Sequence, residues 1–458
     1  MNLQQLILDY PWMALSVGTI AVGLLASSAG PTKKKKQTKI TELVTAPPDK
    51  AHGIIFGRKG KKVVYSPTAN EGCVGVFSAT GTGKTSSIGI PTLRSWDGTS
   101  FTIDISGDIC KNCPDMPNKL IFDPEDPEST PYNVFAPIDA LESEGEKCEA
   151  LAQLALLLIP EEATNDAARF YEAAGRKILT AALTAFYFQG LDFIEICDFV
   201  YRTPWQELFG QIDATGCTAG SQYLVGFNPD NAKENSSAHD VAASAVQLFS
   251  TNKKVHDSLR RPGEGEVAVE PRCIEDSNIF LIVDDPKLTL YSPLLSIITS
   301  QLMQYISNRQ VTRESTNILL FLDEYASLRI SAQMVLEALR KYRKRRCRLM
   351  ILTQNLADLD LLYGHDTTKA ILANLRFKVL LGGLGEVESQ RYFADLIGYH
   401  EVKKTSVTKG TSSSHTVSDT KEYIIEPADL DRQGKDTAIL LHPEGSGWMK
   451  LRKNYYFK

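Results

Sequence analysis

Cysteine is scarce and scattered, with eight residues in a chain of 458, which is not the density of a disulfide-stapled scaffold. Cys110 and Cys113 form one CxxC, but no second CxxC or HxxxH supplies the remaining ligands of a structural zinc. The thiols read as lone residues in a reducing cytosol. An excess of positive charge is missing as well. The 50 Lys and Arg stand against 55 Asp and Glu, a net charge of −5, which argues against a basic DNA-coating protein. It does not exclude a motor whose positive charge is confined to a channel, because local patches set steering. Long apolar runs are absent with one exception, and that excludes a polytopic membrane protein. No internal repeat is found. What is present is ordinary globular composition, 43% hydrophobic and 23% charged, which excludes collagen, long coiled coil and wholesale disorder. At about 150 residues per domain, the length predicts two or three folding units.

The exception is Tyr10 to Thr32, 23 residues without a charged side chain. As a helix they would reach about 35 Å, enough to cross a hydrocarbon core of ~30 Å. Tyr10 and Trp12 stand at one edge, where aromatic rings favour the interface, and Lys33 to Lys36 follow the other. A cleavable signal peptide carries its positive charges before the apolar run; here they come after it. The expectation is one spanning helix within residues 1–31 of a cell (inner) membrane protein, with the bulk of the chain in the cytoplasm. The Lys-rich stretch 32–52, with Pro47-Pro48, reads as a linker.

From Gly53 the texture becomes β-like: Lys62 to Tyr65, Cys73 to Phe77, Phe101 to Ile105, Leu120 to Phe122, Ile279 to Val283, Ile318 to Leu322, Leu349 to Leu352, Lys378 to Leu381 and Asp436 to Leu441. Continuous apolar runs separated by helical stretches predict a parallel sheet covered on both faces. Between about 140 and 255 the pattern is helical, as in Leu151 to Leu158, Ala167 to Phe188 and Val241 to Phe249. This predicts an α/β domain, residues 53–140 and 256–458, interrupted by an all-α insert, residues 141–255. Lys403 to Thr420, with ten Ser or Thr, reads as an exposed loop or flexible hairpin.

Ser78-Ala79-Thr80-Gly81-Thr82-Gly83-Lys84-Thr85 lies between a strand-like run and Ser86 to Leu93, which can open a helix. It is GxxxxGK[ST] with Ser78 at the first glycine. Gly81 and Gly83 let backbone N–H groups curl around phosphate, Lys84 neutralises β- and γ-phosphate charge, and Thr85 ligates Mg²⁺. The predicted nucleotide contacts are Thr80, Gly81, Thr82, Gly83, Lys84, Thr85 and Ser86, with ATP and Mg²⁺ as cofactors. A second motif, Ile318 to Leu322 followed by Asp323-Glu324, delivers two carboxylates at a strand end. Asp323 is expected to hold Mg²⁺, partly through water, and Glu324 to act as general base. Gln354 ends another apolar run, where it either senses the γ-phosphate or orders the water, or is simply a polar strand end. Arg340 to Arg348 holds seven basic residues in nine. A helix terminus accounts for two or three of them; seven point to a trans-acting arginine or to nucleic-acid phosphate.

Taken together these motifs resemble the type IV secretion coupling proteins, the conjugative DNA-pump ATPases. The likeness runs from about Gly53 onward. Ile90-Pro91-Thr92-Leu93 and Thr102 to Asp108 are similar to the family's "IPxLL…DxKGE", with Ser106 for Lys and Asp108 for Glu. Phe122-Asp123-Pro124, Tyr132-Asn133-Val134 and Phe170-Tyr171-Glu172 resemble "FxP", "YNP" and "FWE". Leu322 to Leu328, Arg340-Lys341-Tyr342, Gln354 to Leu359, Tyr363-Gly364 and Asn374 match in order and spacing. The resemblance implies a RecA-like P-loop NTPase domain with an inserted all-α domain, and a homo-oligomer, a hexameric ring on the lipid membrane. Arg340 then becomes a finger reaching the neighbour's ATP. The implied partners are a single-stranded DNA–relaxase complex or protein effectors, and the components of the secretion channel. Many members have two spanning helices where one is read here. Substrate choice is expected to fall on the helical insert or on adaptors. Two other readings stand beside this one: a substrate-docking receptor with little motor activity, and a cell-division-type duplex DNA translocase.

Overall fold

The structure is a computed structural model and describes residues 42–161, 165–328, 330–409 and 413–457. The predicted spanning segment, residues 1–31, lies outside the described residues. Among the described residues no helix is long and apolar enough to cross a membrane.

Among the described residues the chain builds one twelve-stranded sheet and one separate hairpin. The strands are β1 (Val44–Ala46), β2 (Gly53–Lys59), β3 (Lys62–Pro67), β4 (Cys73–Phe77), β5 (Thr99–Ile105), β6 (Lys119–Phe122), β7 (Asn278–Val283), β8 (Ile318–Leu322), β9 (Cys347–Thr353), β10 (Leu375–Leu380), β11 (Tyr399–Lys409), β12 (Ser413–Tyr423), β13 (Thr437–Leu441) and β14 (Trp448–Arg452). Their order in the large sheet is β1-β3-β2-β14-β13-β10-β4-β9-β8-β5-β7-β6. From β10 to β6 every neighbouring pair is parallel; from β10 back to β1 every pair is antiparallel.

The central strands β4, β8 and β9 are buried along their whole length, as parallel strands covered on both faces must be. Their side chains divide by the two-residue period of a strand. Ile318, Leu320, Leu322, Leu349 and Ile351 join the larger core, while Leu319, Phe321, Met350 and Leu352 join a second core on the opposite face. The second core takes the helix that follows β4 (Ile88, Ile90, Leu93). The larger core continues into the helices Glu144–Leu158, Asp166–Phe188, Phe193–Arg202 and Ala232–Thr251. Two of these approach closely at Gly175, where a Cβ would stand 2.8 Å from Val241; a larger residue would force the helices apart. Helix Phe193–Arg202 opens on a capping box formed by Asp192 and Glu195. No strand lies between Glu144 and Ser258 among the described residues. All eight cysteines are free.

Two local readings change, and a third resolves to one of its two alternatives. The second half of the stretch read as linker carries β1, an edge strand paired antiparallel to β3; three residues closed off by Pro47 are too short to show a period. The Ser/Thr-rich segment, read as an exposed loop or flexible hairpin, is the hairpin, with β11 paired to β12 from Tyr399↔Tyr423 to Lys409↔Ser413. Its strand character was masked because Ser, Thr and Lys fill both sides of the alternation. Finally, β14, which is not among the strands expected from sequence, returns antiparallel to β13, and the segment after it reaches the loop that follows β4.

Candidate nucleotide-binding site

Parallel strands aim all their carboxyl ends at one edge of the sheet, and ligands of such sheets sit there. β4 ends at Phe77 and feeds Ser78 to Lys84; β8 ends at Leu322 and delivers Asp323 and Glu324; β9 lies between them and delivers Gln354. Three segments far apart in sequence therefore meet at one place.

The loop is held from both sides. Ser78 N–H donates to Thr353 O (3.2 Å) and Ala79 N–H to Gly383 O (3.1 Å). The Thr82 hydroxyl donates to Ala79 O at 2.6 Å and also contacts the Ser78 hydroxyl. Gly81 and Gly83 have φ of 75° and 98°, a region open to glycine and costly for side-chain-bearing residues. Thr85–Gly89 then winds as a π-helical turn before helix Ile90–Ser95, a deviation that recurs at functional sites.

Lys84 is buried, donates from Nζ to Ser78 O at 2.9 Å, and lies 3.4 Å from Glu324 Oε1. The Thr85 hydroxyl donates to Asp323 Oδ2 at 3.2 Å. Asp323 is almost fully buried, and burial, reinforced by the neighbouring Glu324 charge, pushes its carboxyl up to about 6. Glu324 adopts a left-handed backbone, φ 44° and ψ 46°, a conformation that costs a non-glycine residue on the order of 1 kcal/mol. Its N–H donates to Asp323 Oδ1 at 3.1 Å. Gln354 Nε2 reaches Glu324 Oε2 at 3.5 Å. Asp358 lies within electrostatic reach of Glu324 and Lys84, and its carboxyl is raised chiefly by burial.

A hydroxyl and a carboxylate 3.2 Å apart are the hard oxygen donors that Mg²⁺ prefers. A left-handed glycine loop with a buried lysine is a cradle for phosphate. The residues present therefore fit an Mg²⁺-nucleotide. Lys84, Thr85, Asp323, Glu324 and Gln354 converge, with Thr80, Gly81, Thr82, Gly83 and Ser86 along the same loop.

Arg340 does not join them. It lies in the last turn of the helix Ala332–Lys341, which leads from the carboxyl end of β8 to the start of β9 at the opposite edge. It is exposed, so within its own chain it stands away from Lys84. The rest of the basic run is largely structural. Arg345 donates to Arg309 O, Arg346 to Arg313 O and Ser315 O, and Arg348 to Gly72 O and Pro67 O. Lys341 pairs with Glu337 and Arg343 with Glu71.

Sequence reasoning missed the segment after β14. Lys453 Nζ donates to Thr82 O (2.7 Å) and Leu381 O (3.0 Å), and Tyr456 N–H donates to Ser86 O (3.1 Å). Lys453 lies 371 residues from Thr82, and no local pattern announces such a contact. The other aspartate of note, Asp104 of β5, is not part of the site. It accepts from Ile109 N–H and Cys110 N–H at 3.2 and 2.7 Å and caps a short helix.

Architecture and site together define a RecA-like P-loop NTPase fold bearing an all-α domain. The family model for the type IV secretion-system coupling protein DNA-binding domain matches residues 60–441, and the chain belongs to that family. Among solved structures, the bacterial conjugative coupling protein TrwBdeltaN70 superposes with a TM-score of 0.65 at 20% identity, covering 83% of this chain and 84% of that one. TrwB in complex with ADP and Mg²⁺ gives 0.64 at 20% identity, covering 84% and 85%. VirB4 of Thermoanaerobacter pseudethanolicus is more distant, at 0.51 and 14% identity over 88% of this chain and 96% of its own. No curated protein matches the chain.

Proposed function

We propose that the chain is the membrane-anchored ATPase of a type IV secretion or conjugation system. It recruits a relaxase-bound single strand or protein effectors, and couples ATP hydrolysis to their delivery to the secretion channel. The observation that carries this reading is the convergence of Lys84, Thr85, Asp323, Glu324 and Gln354 within hydrogen-bonding or ion-pair reach of one another in a chain of the coupling-protein family. Related structures bear on it: TrwB has been solved with a non-hydrolysable ATP analogue, a GTP analogue and ADP with Mg²⁺.

Bound Mg²⁺ supplies positive charge against the phosphate oxygens; the protein's part is positioning and charge. Lys84 exchanges Ser78 O for phosphate oxygens at the β/γ junction. Thr85 and Asp323 hold the cation. Glu324, aimed by its left-handed backbone and by the Gln354 amide, orients the attacking water and accepts its proton. The Lys84–Glu324 contact keeps the base paired until phosphate arrives and draws the ammonium away.

Arg340 acts across the boundary between copies in a hexameric ring, since it stands at the far edge of its own sheet. Residues 10–32 anchor the ring, with the nucleotide domain in the cytoplasm. The domains are 53–140 with 256–458 for nucleotide and 141–255 for the helical insert. The full chain, purified with its membrane segment and given single-stranded DNA, is expected to hydrolyse ATP. Lys84→Ala is expected to lower the rate at least about 100-fold, because phosphate charge is left unneutralised. Unchanged hydrolysis in that variant would end the ATPase assignment. A pure docking receptor would still export substrate with Glu324→Gln; loss of export in that variant separates the two readings.

A further inference from the structure

The two flanks of β4 are chemically unlike. On one side stand β9 and β8, with Gln354, Asp323 and Glu324. These carboxylates and the amide mark where the γ-phosphate and the attacking water belong. On the other side stand β10, β13 and β14, and the segment leaving β14 lies against the loop. A nucleotide whose γ-phosphate faces Glu324 must direct its α-phosphate, ribose and base away from it, toward this second flank.

Three aromatic residues wait there. Tyr455 lies so close to Gly83 that a Cβ on that glycine would come 3.1 Å from its ring. Its hydroxyl donates to Lys435 O at 3.4 Å, which holds the ring at its far end. Phe457 stands 5.3 Å from Tyr455, ring centre to ring centre, with planes 32° apart, and is 61% exposed. Tyr456 is turned the other way, its ring under the Arg94 guanidinium at 4.9 Å. The segment is fastened beneath them. Lys453 bonds to Thr82 O and Leu381 O, the Asn454 side chain accepts from Arg58 Nε, and Tyr456 N–H bonds to Ser86 O. Half-exposed rings fixed at the mouth of a phosphate loop form a preorganised surface that loses little freedom when a flat group lands on it.

We infer that Tyr455 and Phe457 are the base-stacking shelf of this site, and that the site takes a nucleotide by the face of its base rather than by its edge. The inference rests on the nucleotide-binding reading above. Lys453 is a positioning residue: it ties the shelf to Thr82, so the shelf and the phosphate cradle move as one piece. Stacking is available to every base because each has a π-face; reading an edge requires hydrogen-bonding groups matched to one base. The shelf therefore predicts that adenine and guanine nucleotides bind alike.

The test measures binding to the full chain in detergent, with Mg²⁺, by calorimetry, for ATP, GTP and inorganic tripolyphosphate. ATP and GTP are expected to bind within about threefold of each other, and Tyr455→Ala to weaken both by about tenfold. Phe457→Ala removes an exposed side chain without disturbing the core, and a loss of about fivefold is expected. Tripolyphosphate has no base, and its binding is expected to be unchanged in both variants, while Tyr455→Phe restores the nucleotides. A parallel loss of tripolyphosphate would overturn the inference by showing that the segment only shapes the loop. So would unchanged ATP binding in Tyr455→Ala, or a preference of more than about 100-fold for one purine. Lys84→Ala separates the two levels: if it leaves tripolyphosphate binding intact, the phosphate-loop reading itself fails, and the shelf with it.

Discussion

Lys84 and the run Arg340–Arg348 place positive charge in two very different settings. Lys84 is a single buried residue whose partners are Ser78 O and Glu324, both of which phosphate would displace in the proposed function. Most of the seven basic residues in the run have lasting partners. Arg345, Arg346 and Arg348 satisfy backbone carbonyls, and Lys341 and Arg343 pair with carboxylates. The run joins a helix to the start of β9, where carbonyls need donors and long guanidinium groups supply them. Density of charge along the chain is therefore a poor guide to its use. What matters is whether the partner is permanent or exchangeable.

The contrast can be broken by substitution. Glu324→Gln should lower the rate of ATP hydrolysis by roughly 10²–10⁴ while leaving ATP affinity largely intact, because in the proposed mechanism it removes a base and not a phosphate ligand. Arg343→Ala, which loses an exposed ion pair with Glu71, should change the rate little. A comparable loss in both variants, read by steady-state kinetics, would erase the distinction.

In stability the order reverses. Arg348 is fully enclosed, and burial lowers its guanidinium to about 10. Arg348→Met removes the guanidinium donors to Gly72 O and Pro67 O, the latter keeping Asn70 N–H, and should cost about 2–3 kcal/mol in denaturant unfolding. Lys344→Ala, at an exposed position, should stay within about 0.5 kcal/mol. Equal effects would contradict the division of the run into structural and surface members.

The smallest effect is a pH dependence. The Asp323 carboxyl, raised by burial to about 6, lies above its unfolded value. Its contribution to stability without ligand is thus present at low pH and lost as pH rises through about 6. Mg²⁺ requires the ionised form, so Mg²⁺-dependent nucleotide affinity should fall in the opposite direction, as pH drops below about 6. Asp323→Asn should remove both slopes, which thermal unfolding and calorimetry between pH 5 and 8 would show.

Much of the site was legible because its parts are short and contiguous. Ser78 to Thr85 carries the glycines, lysine and hydroxyl of one phosphate cradle in eight consecutive residues, and Ile318 to Glu324 carries a buried strand with its carboxylates. Alternation along β8 and β9 needed no pattern, since burial on both faces leaves a continuous apolar run. The ribbon β11–β12 was legible as a hairpin but not as regular strands, because polar residues fill both sides of its alternation. β1 was too short to have one.

The sequence alone determined the chemical inventory: which residues are able to neutralise phosphate, hold a cation or move a proton, and that they fall at strand ends. Those properties are local, set by residue type and by spacing over a few positions. Only the tertiary structure decided the neighbours. It inserted β9 between β4 and β8 and so brought Gln354 to Glu324. It committed most of the basic run to carbonyls and carboxylates, and it returned Lys453 and Tyr455 to the loop across most of the chain. Strand order is a global outcome of burying two faces of one sheet, and no window of residues contains it.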